Sequence, residues 1–207
     1  MAVKLYGIAG SPNVRGAMLG LAEKGVAFEL IEVAPPFKTD EHLARNPFGR
    51  VPVLEHDGFM LYETQAILRY LDQAFPGPSL QPVSPHEAAR MNQILGIIDY
   101  YLFQTWSGTI AFERLVATNL LGRHSDEERI AAAVPMARLA AEAVEDLNAG
   151  PYLTGDTYSL ADIRLLPHFQ WFRFTPEGEA VLAGKKRLAQ WFQLASERPN
   201  ARAVLQQ

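Results

Sequence analysis

The chain has 207 residues, a formal charge of −4 at pH 7 and no cysteine. The missing thiols remove disulfides, cysteine metal sites and a protein thiolate nucleophile, and basic residues that form no run or stripe point away from nucleic acid. No apolar run approaches a membrane span, and the short apolar start, Met1 to Ile8, carries Lys4, so a cytoplasmic protein of one or two domains is expected, with no membrane partner.

Val3 to Ile8 predicts a short strand, followed by the loop Ala9-Gly10-Ser11-Pro12. Val14, Met18, Leu19 and Ala22 then recur at helical spacing until Lys24-Gly25 supplies a stop. Phe28 to Val33 is β-rich, so strand, helix and strand form a βαβ unit with a right-handed crossover and parallel strands. Chemistry is expected in the loop that leads from the first strand into the helix. A dinucleotide fingerprint is set aside there, because the GxGxxG spacing is absent and Pro12 sits inside the loop. Taken alone, Ser11 reads as a simple N-cap for the helix beginning near Pro12. No His-Asp pattern nearby makes it a triad serine.

Ala34 to Arg45 contains a proline pair, Lys38 and the amphipathic piece Asp40 to Arg45. The stretch Asn46 to Ile67 is the most informative in the chain. It begins as a turn (Asn46, Pro47, Gly49), passes through Arg50 and Val51-Pro52, and enters the apolar run Val53-Leu54. Asp57-Gly58 favours a two-residue hairpin turn, Phe59 and Leu61 return as a strand, and Glu63-Thr64 opens a helix with Ile67, Leu68 and Leu71 on one face. Pro52 has no N–H and interrupts ladder pairing, which frees the backbone of Val51 to pair with something extended, such as a peptide. The first turn of the Glu63 helix suits a carboxylate, the Thr64 hydroxyl adds a donor, and Glu63 can hold an ammonium. A short peptide with an amino-acid head fits such a site.

The helix Glu63 to Phe75 ends before Pro76-Gly77-Pro78, with Pro82 and Pro85 close behind, which marks a semi-rigid linker and a domain boundary. Beyond it the chain is rich in alanine and leucine. One helix is predicted from His86 to Leu121, bent near Gly108, and another from Ser125 to Asn148 with Ala132, Met136, Leu139, Ala143 and Leu147 on one face. Ser159-Leu160-Ala161-Asp162 is a capping box, with Tyr158 and Ile163 placed as a staple. The five histidines, at 42, 56, 86, 124 and 168, show no metal-ligand spacing, so no metal is expected.

Four motifs stand in a fixed order along nearly the whole chain: Lys4-Leu5-Tyr6-Gly7 with Ser11, Asn46 to Leu54, Glu63-Thr64 before an Ala-Ile helix, and Ser159 to Asp162. In them the sequence resembles the soluble glutathione transferases of the serine-type, plant phi-like or related bacterial branch. The resemblance implies an α/β thioredoxin-like N-terminal domain (βαβαββα) over residues 1–76, a proline-rich linker over 77–85 and an all-α C-terminal helical domain over 86–207. It implies a cis bond before Pro52, a Val51 backbone paired with the cysteinyl part of glutathione, and Glu63 and Thr64 on the γ-glutamyl head. Lys38 falls on a ligand position of the family, and Arg50 replaces a residue that is often glutamine; both would face the glycine carboxylate. As bare residues the same two cations read as solvated surface charge.

Ser11 falls where the serine-type members keep their catalytic hydroxyl, with Arg15 four residues on. A free thiol has a pKa of about 8.5, and a hydroxyl that donates to the sulfur near a helix N-terminus stabilises the thiolate. The amide of Asn13 is a weaker candidate for the same donation. Tyr101, Trp106 and Phe112, with Asn13, are candidates for an apolar second-substrate pocket, although most of the aromatic cluster should be core. Phe48 reads equally as a plug into a partner subunit or a buried loop anchor.

The activity so implied is conjugation of the glutathione thiolate to small, mostly apolar electrophiles, in detoxification, by a cytoplasmic homodimer with glutathione as co-substrate. Glutathione-dependent peroxide reduction or isomerisation is an alternative on the same fold. A non-catalytic glutathione-binding or interaction module is another, disfavoured by the joint presence of Ser11, Lys38, Pro52, Glu63 and Thr64. The lack of cysteine argues against the thiol-transferring branches.

Overall fold

A computed structural model describes residues 2–206, which divide into two compact units. The first runs to Leu80 and takes back the chain from Glu197 onward; the second is Gln81–Ser196.

The first unit reads β1 (Val3–Gly7), α1 (Pro12–Glu23), β2 (Glu29–Glu32), α2 (Asp40–Arg45), β3 (Val53–His56), β4 (Phe59–Tyr62) and α3 (Thr64–Ala74), the thioredoxin-like order expected. The sheet order is β2-β1-β3-β4, with β1 parallel to β2 and β3 antiparallel to both its neighbours. Asp57 and Gly58 both take positive φ, as the predicted hairpin turn needs. Leu5, Val14, Met18, Leu21, Leu54, Ile67 and Leu71 close the core between sheet and helices. α1 and α3 approach closely because residue 20 is glycine: a Cβ there would stand 2.5 Å from Leu68 Cδ2.

Two ion pairs on buried carboxylates settle where this unit ends. Lys24 Nζ donates to Asp72 Oδ1 at 3.2 Å and to Pro78 O at 2.9 Å, and Leu80 N donates to the same Asp72 Oδ1 at 2.8 Å. The beginning of the predicted linker is thereby bound into the first unit. At the other end of the chain, Arg198 Nη2 donates to the buried Glu23 Oε2 at 2.7 Å and Asn200 Nδ2 to Ala22 O at 3.3 Å. These bonds fasten α9 (Pro199–Leu205) to α1, so the last helix leaves the helical domain expected over 86–207.

The second unit is all helical: α4 (Pro85–Ile97), a π-helix (Ile98–Ala117), α5 (Glu127–Leu147), α6 (Leu160–Arg173), α7 (Pro176–Leu182) and α8 (Lys186–Ser196). The single helix expected from His86 to Leu121 changes its hydrogen bonding at Ile98. The face chosen for α5 also differs. Its buried residues are Ile130, Ala137, Ala140, Ala141 and Val144, while Met136 and Leu139 are exposed. Space explains this: the alanines admit the bulk of Trp106, whose indole N–H donates to Ala137 O at 3.2 Å. At the start of α6, Asp162 Oδ2 accepts from Ser159 N and Oγ, both at 2.8 Å, and Oδ1 accepts from Leu153 N at 2.9 Å and Trp191 Nε1 at 2.7 Å. No helix among the described residues is long and apolar enough to cross a membrane.

Candidate functional site

Strand register gathers the sequence-predicted residues of the first unit at one end of its sheet. Tyr6 lies opposite Val53, and Val53 opposite Tyr62. One residue further along, the three strands therefore present Gly7, Pro52 and Glu63 side by side. The Ser11 loop follows Gly7, Val51 precedes Pro52, and Thr64 follows Glu63.

Ser11 stands at the N-cap of α1 with extended backbone (φ −69°, ψ 128°), yet its hydroxyl accepts nothing from the first turn. Its N–H donates to Ile8 O at 3.0 Å and its carbonyl accepts from Arg15 N at 2.9 Å, which fixes the backbone, while the hydroxyl has no partner among the described residues. Arg15 Nε braces the loop through Ala9 O at 2.9 Å. Asn13 turns its Oδ1 inward, where no donor meets it, and its carbonyl accepts from Thr64 Oγ1 at 3.5 Å, the outer limit of a hydrogen bond. Tyr6, the nearest phenol on β1, is already engaged: its hydroxyl donates to Glu55 Oε2 at 2.6 Å, and burial together with that carboxylate pushes its pKa up. Of the two hydroxyls, that of Ser11 is the one without a partner among the described residues.

The turn before Pro52 is held from inside. Asn46, 1% exposed, donates from Nδ2 to Arg50 O at 2.9 Å and accepts Phe48 N at 3.0 Å, while its carbonyl accepts Gly49 N at 2.9 Å. His42 Nε2 lies 3.0 Å from the same Arg50 carbonyl. Gly49 takes φ 58°, and a Cβ on it would lie 2.9 Å from Phe37 O, so no larger residue fits. That close approach also lays Lys38 along the turn, its Cγ 3.4 Å from the same point. Lys38 and Arg50 are exposed and pair with no carboxylate among the described residues. The Val51–Pro52 bond is cis, and the Val51 backbone has no partner among the described residues. Phe48 is 64% exposed and meets Tyr62 only edge-on, which removes the buried-anchor reading.

Glu63 is the residue under strain. It holds φ 69° and ψ 114° at the N-cap of α3, a conformation that costs a non-glycine residue about 1–3 kcal/mol. Its side chain is exposed and caps nothing, and its carbonyl accepts Ile67 N at 2.9 Å. Thr64, 6% exposed, begins the helix. The Glu63 carboxylate is thus turned outward at the helix N-terminus, at the cost of local backbone energy.

The aromatic candidates lie in the second unit. Tyr101 is exposed and Phe112 half-buried, with Arg123 over the Phe112 ring. Trp106 is fully buried and stacks on Phe172 at 4.4 Å, so it is a core residue and leaves the pocket set. An open groove of about 760 Å³ in this unit is lined by Arg90, Asp146, Asn148, Arg187, Gln190 and Leu194 among others, and by none of the three aromatics. Sequence reasoning missed His42 and treated Asn46 only as a turn residue. The available signal was a polar pair four residues apart, running into Asn46-Pro47-Phe48-Gly49.

Comparison with known proteins bears on the whole chain. Residues 5–79 match the family Glutathione S-transferase, N-terminal domain, and residues 127–206 match Glutathione S-transferase, C-terminal domain. Glutathione S-transferase 4 of Zea mays is 32% identical over 99% of this chain and 92% of its own length. Among solved structures, glutathione S-transferase III in apo form superimposes with a TM-score of 0.88 at 28% identity, covering 100% of this chain and 96% of that one. Glutathione S-transferase I from mais, in complex with an atrazine glutathione conjugate, does so with 0.85 at 27% identity, covering 100% and 97%. The end of the sheet that gathers Ser11, Val51, Pro52, Glu63 and Thr64, and the matches that span both units, lead to one assignment: this chain belongs to the glutathione S-transferase family.

Proposed function

We propose that Ser11 is the group that makes bound glutathione reactive. As a glutathione transferase the protein uses glutathione as co-substrate and joins its sulfur to an electrophile. The reading of the site rests on one observation above the others: a hydroxyl at the N-terminus of α1 that caps nothing. In this reading the tripeptide lies along Val51, with its γ-glutamyl head on Glu63 and Thr64 and its glycine carboxylate facing Lys38 and Arg50. The thiol proton leaves to water, the Ser11 O–H donates to the sulfur anion, and the positive end of the helix adds to its stability. The thiolate then attacks the electrophile, forming the C–S bond as the leaving group departs. Positioning two bound reactants supplies the rest of the rate gain. The amide of Asn13, with its oxygen turned inward, is a second donor of smaller effect.

Tyr101 and Phe112 keep ring surface for a small apolar electrophile, in keeping with detoxification. Glutathione as co-substrate suits the reducing cytoplasm. The exposed Phe48 ring supports a homodimer in which it seats on the partner.

The test is Ser11→Ala. A hydrogen bond to a charged group is worth roughly 1.5–3 kcal/mol, so the pKa of the bound thiol should rise by about one to two units and kcat near neutral pH should fall about 10- to 100-fold. The urea midpoint should stay unchanged, because no cap is lost. Thiolate absorbance of the binary complex reads the first effect. An unaltered thiol pKa removes Ser11 from this role, and a sizing run of the same samples that gives a concentration-independent monomer removes the dimer.

A further inference from the structure

We propose that His42 is a positioning residue for the glutathione site, aiming the Val51 N–H by holding the carbonyl at the other end of the same peptide bond. The proposal rests on reading Val51 as a ligand of the cysteinyl backbone.

His42 lies in α2, 1% exposed, with its N–H on the Thr39 hydroxyl at 3.2 Å. Its Nε2 is 3.0 Å from Arg50 O. A carbonyl only accepts, so Nε2 carries the proton and Nδ1 is a bare acceptor. That Nδ1 is buried and meets no donor among the described residues. Packing alone has no use for this ring, since an apolar side chain of similar volume would fill the space and leave no acceptor orphaned. The bond to Arg50 is what the nitrogen provides.

The peptide group explains why that bond reaches the ligand. The Arg50 C=O and the Val51 N–H belong to one planar unit and point in opposite directions. His42 Nε2 and Asn46 Nδ2 grip the oxygen from inside, at 3.0 and 2.9 Å. With two donors on one carbonyl the plane resists rotation, and the N–H is held outward, toward the edge left open by Pro52. Asn46 Oδ1 also accepts Phe48 N, so replacing it disturbs the turn itself. His42 acts on this turn through Arg50 O and is the cleaner handle.

The experiment compares wild type, His42→Phe and His42→Gln in steady-state kinetics and by following the 15N-labelled Val51 amide as glutathione is added. His42→Phe should raise the KM for glutathione about tenfold, the size of one lost hydrogen bond, with kcat at saturating glutathione and the KM for the electrophile within about twofold. His42→Gln, whose amide N–H reaches the same carbonyl, should recover most of the loss. The Val51 amide should shift on binding in wild type and shift less in His42→Phe. An unchanged glutathione KM in His42→Phe, a parallel loss in KM and kcat that Gln does not rescue, or an equal Val51 shift in both proteins overturns the proposal. No Val51 response in wild type overturns instead the reading of Val51 beneath it.

Discussion

Ser11 and Ser159 stand at the N-caps of helices in different units, and they end in opposite states. Ser159 and the Asp162 three residues on close upon each other at the start of α6, and with Leu153 N and Trp191 Nε1 every oxygen of that carboxylate is taken. Ser11 begins α1 with Val14 three residues on, so no side chain answers it and its hydroxyl stays open. Serine before a helix is therefore uninformative by itself. At α6 the acid at the third helical position closes the cluster, whereas Ser84 caps nothing at α4 even with Glu87 three residues on.

Opening the closed cluster should cost the most. Asp162→Ala leaves four donors unpaired in the core of the second unit, and loss of a buried, hydrogen-bonded carboxylate costs roughly 3–5 kcal/mol. Urea unfolding should show that loss, while the activity of the molecules that remain folded should match wild type. A loss below about 1 kcal/mol would mean that the four bonds contribute little and that the two serines differ less than their geometry suggests.

A second closed cluster on α6 gives a smaller effect with a definite sign. His168 Nδ1 lies 2.7 Å from Ser107 Oγ, and Arg164 donates to Nε2 while pairing with Asp99 through Nη2 at 2.8 Å. Arginine only donates, so Nε2 accepts and Nδ1–H donates to Ser107; the ring is neutral and has no freedom to act as a base. Burial first, and then the Arg164 charge, hold its pKa well below the usual histidine value. The unfolded chain therefore binds the extra proton as pH falls below about 6.5, and stability should drop by about 1.4 kcal/mol per pH unit from there toward the depressed native value. His168→Gln should remove that slope, measured as the difference between the two proteins in urea melts from about pH 7 to pH 5. Asp162, whose carboxyl burial pushes up, acts in the other direction and is common to both. Equal slopes in the two proteins would show that His168 titrates normally.

Much of the first unit was legible because its signals are local. Asp57-Gly58 makes a hairpin, Pro52 interrupts a strand, and Glu63-Thr64 starts a helix; register then places their ends together without further information. What escaped the reading depends on distance along the chain. Glu23 finds Arg198 across nearly the full sequence, which is why α9 belongs to the first unit and not to the helical one. The buried face of α5 is made of alanines, which look unremarkable until Trp106 fills the space beside them. That same packing withdrew Trp106 from the pocket. His42 shows no metal-ligand spacing, and its bond to a backbone carbonyl eight residues on has no signature in residue type.

Salt separates the open edge from the closed clusters by a different measure. Lys38 and Arg50 are exposed and pair with no carboxylate among the described residues, so their attraction for a glycine carboxylate acts through water and is screened by salt. An exposed ion pair is worth about 0.2–1 kcal/mol, which sets the loss from Lys38→Ala or Arg50→Ala at roughly two- to fivefold in the KM for glutathione at low ionic strength. The loss should shrink toward nothing at about 0.5 M salt, where the screening length falls to a few ångströms. The folding contribution of Asp162, enclosed by its four donors, should hardly respond to the same salt. A loss in either variant that persists undiminished at high salt would mean that the cation is enclosed when glutathione binds, and the edge would then close over its ligand as the capping cluster closes over its own carboxylate.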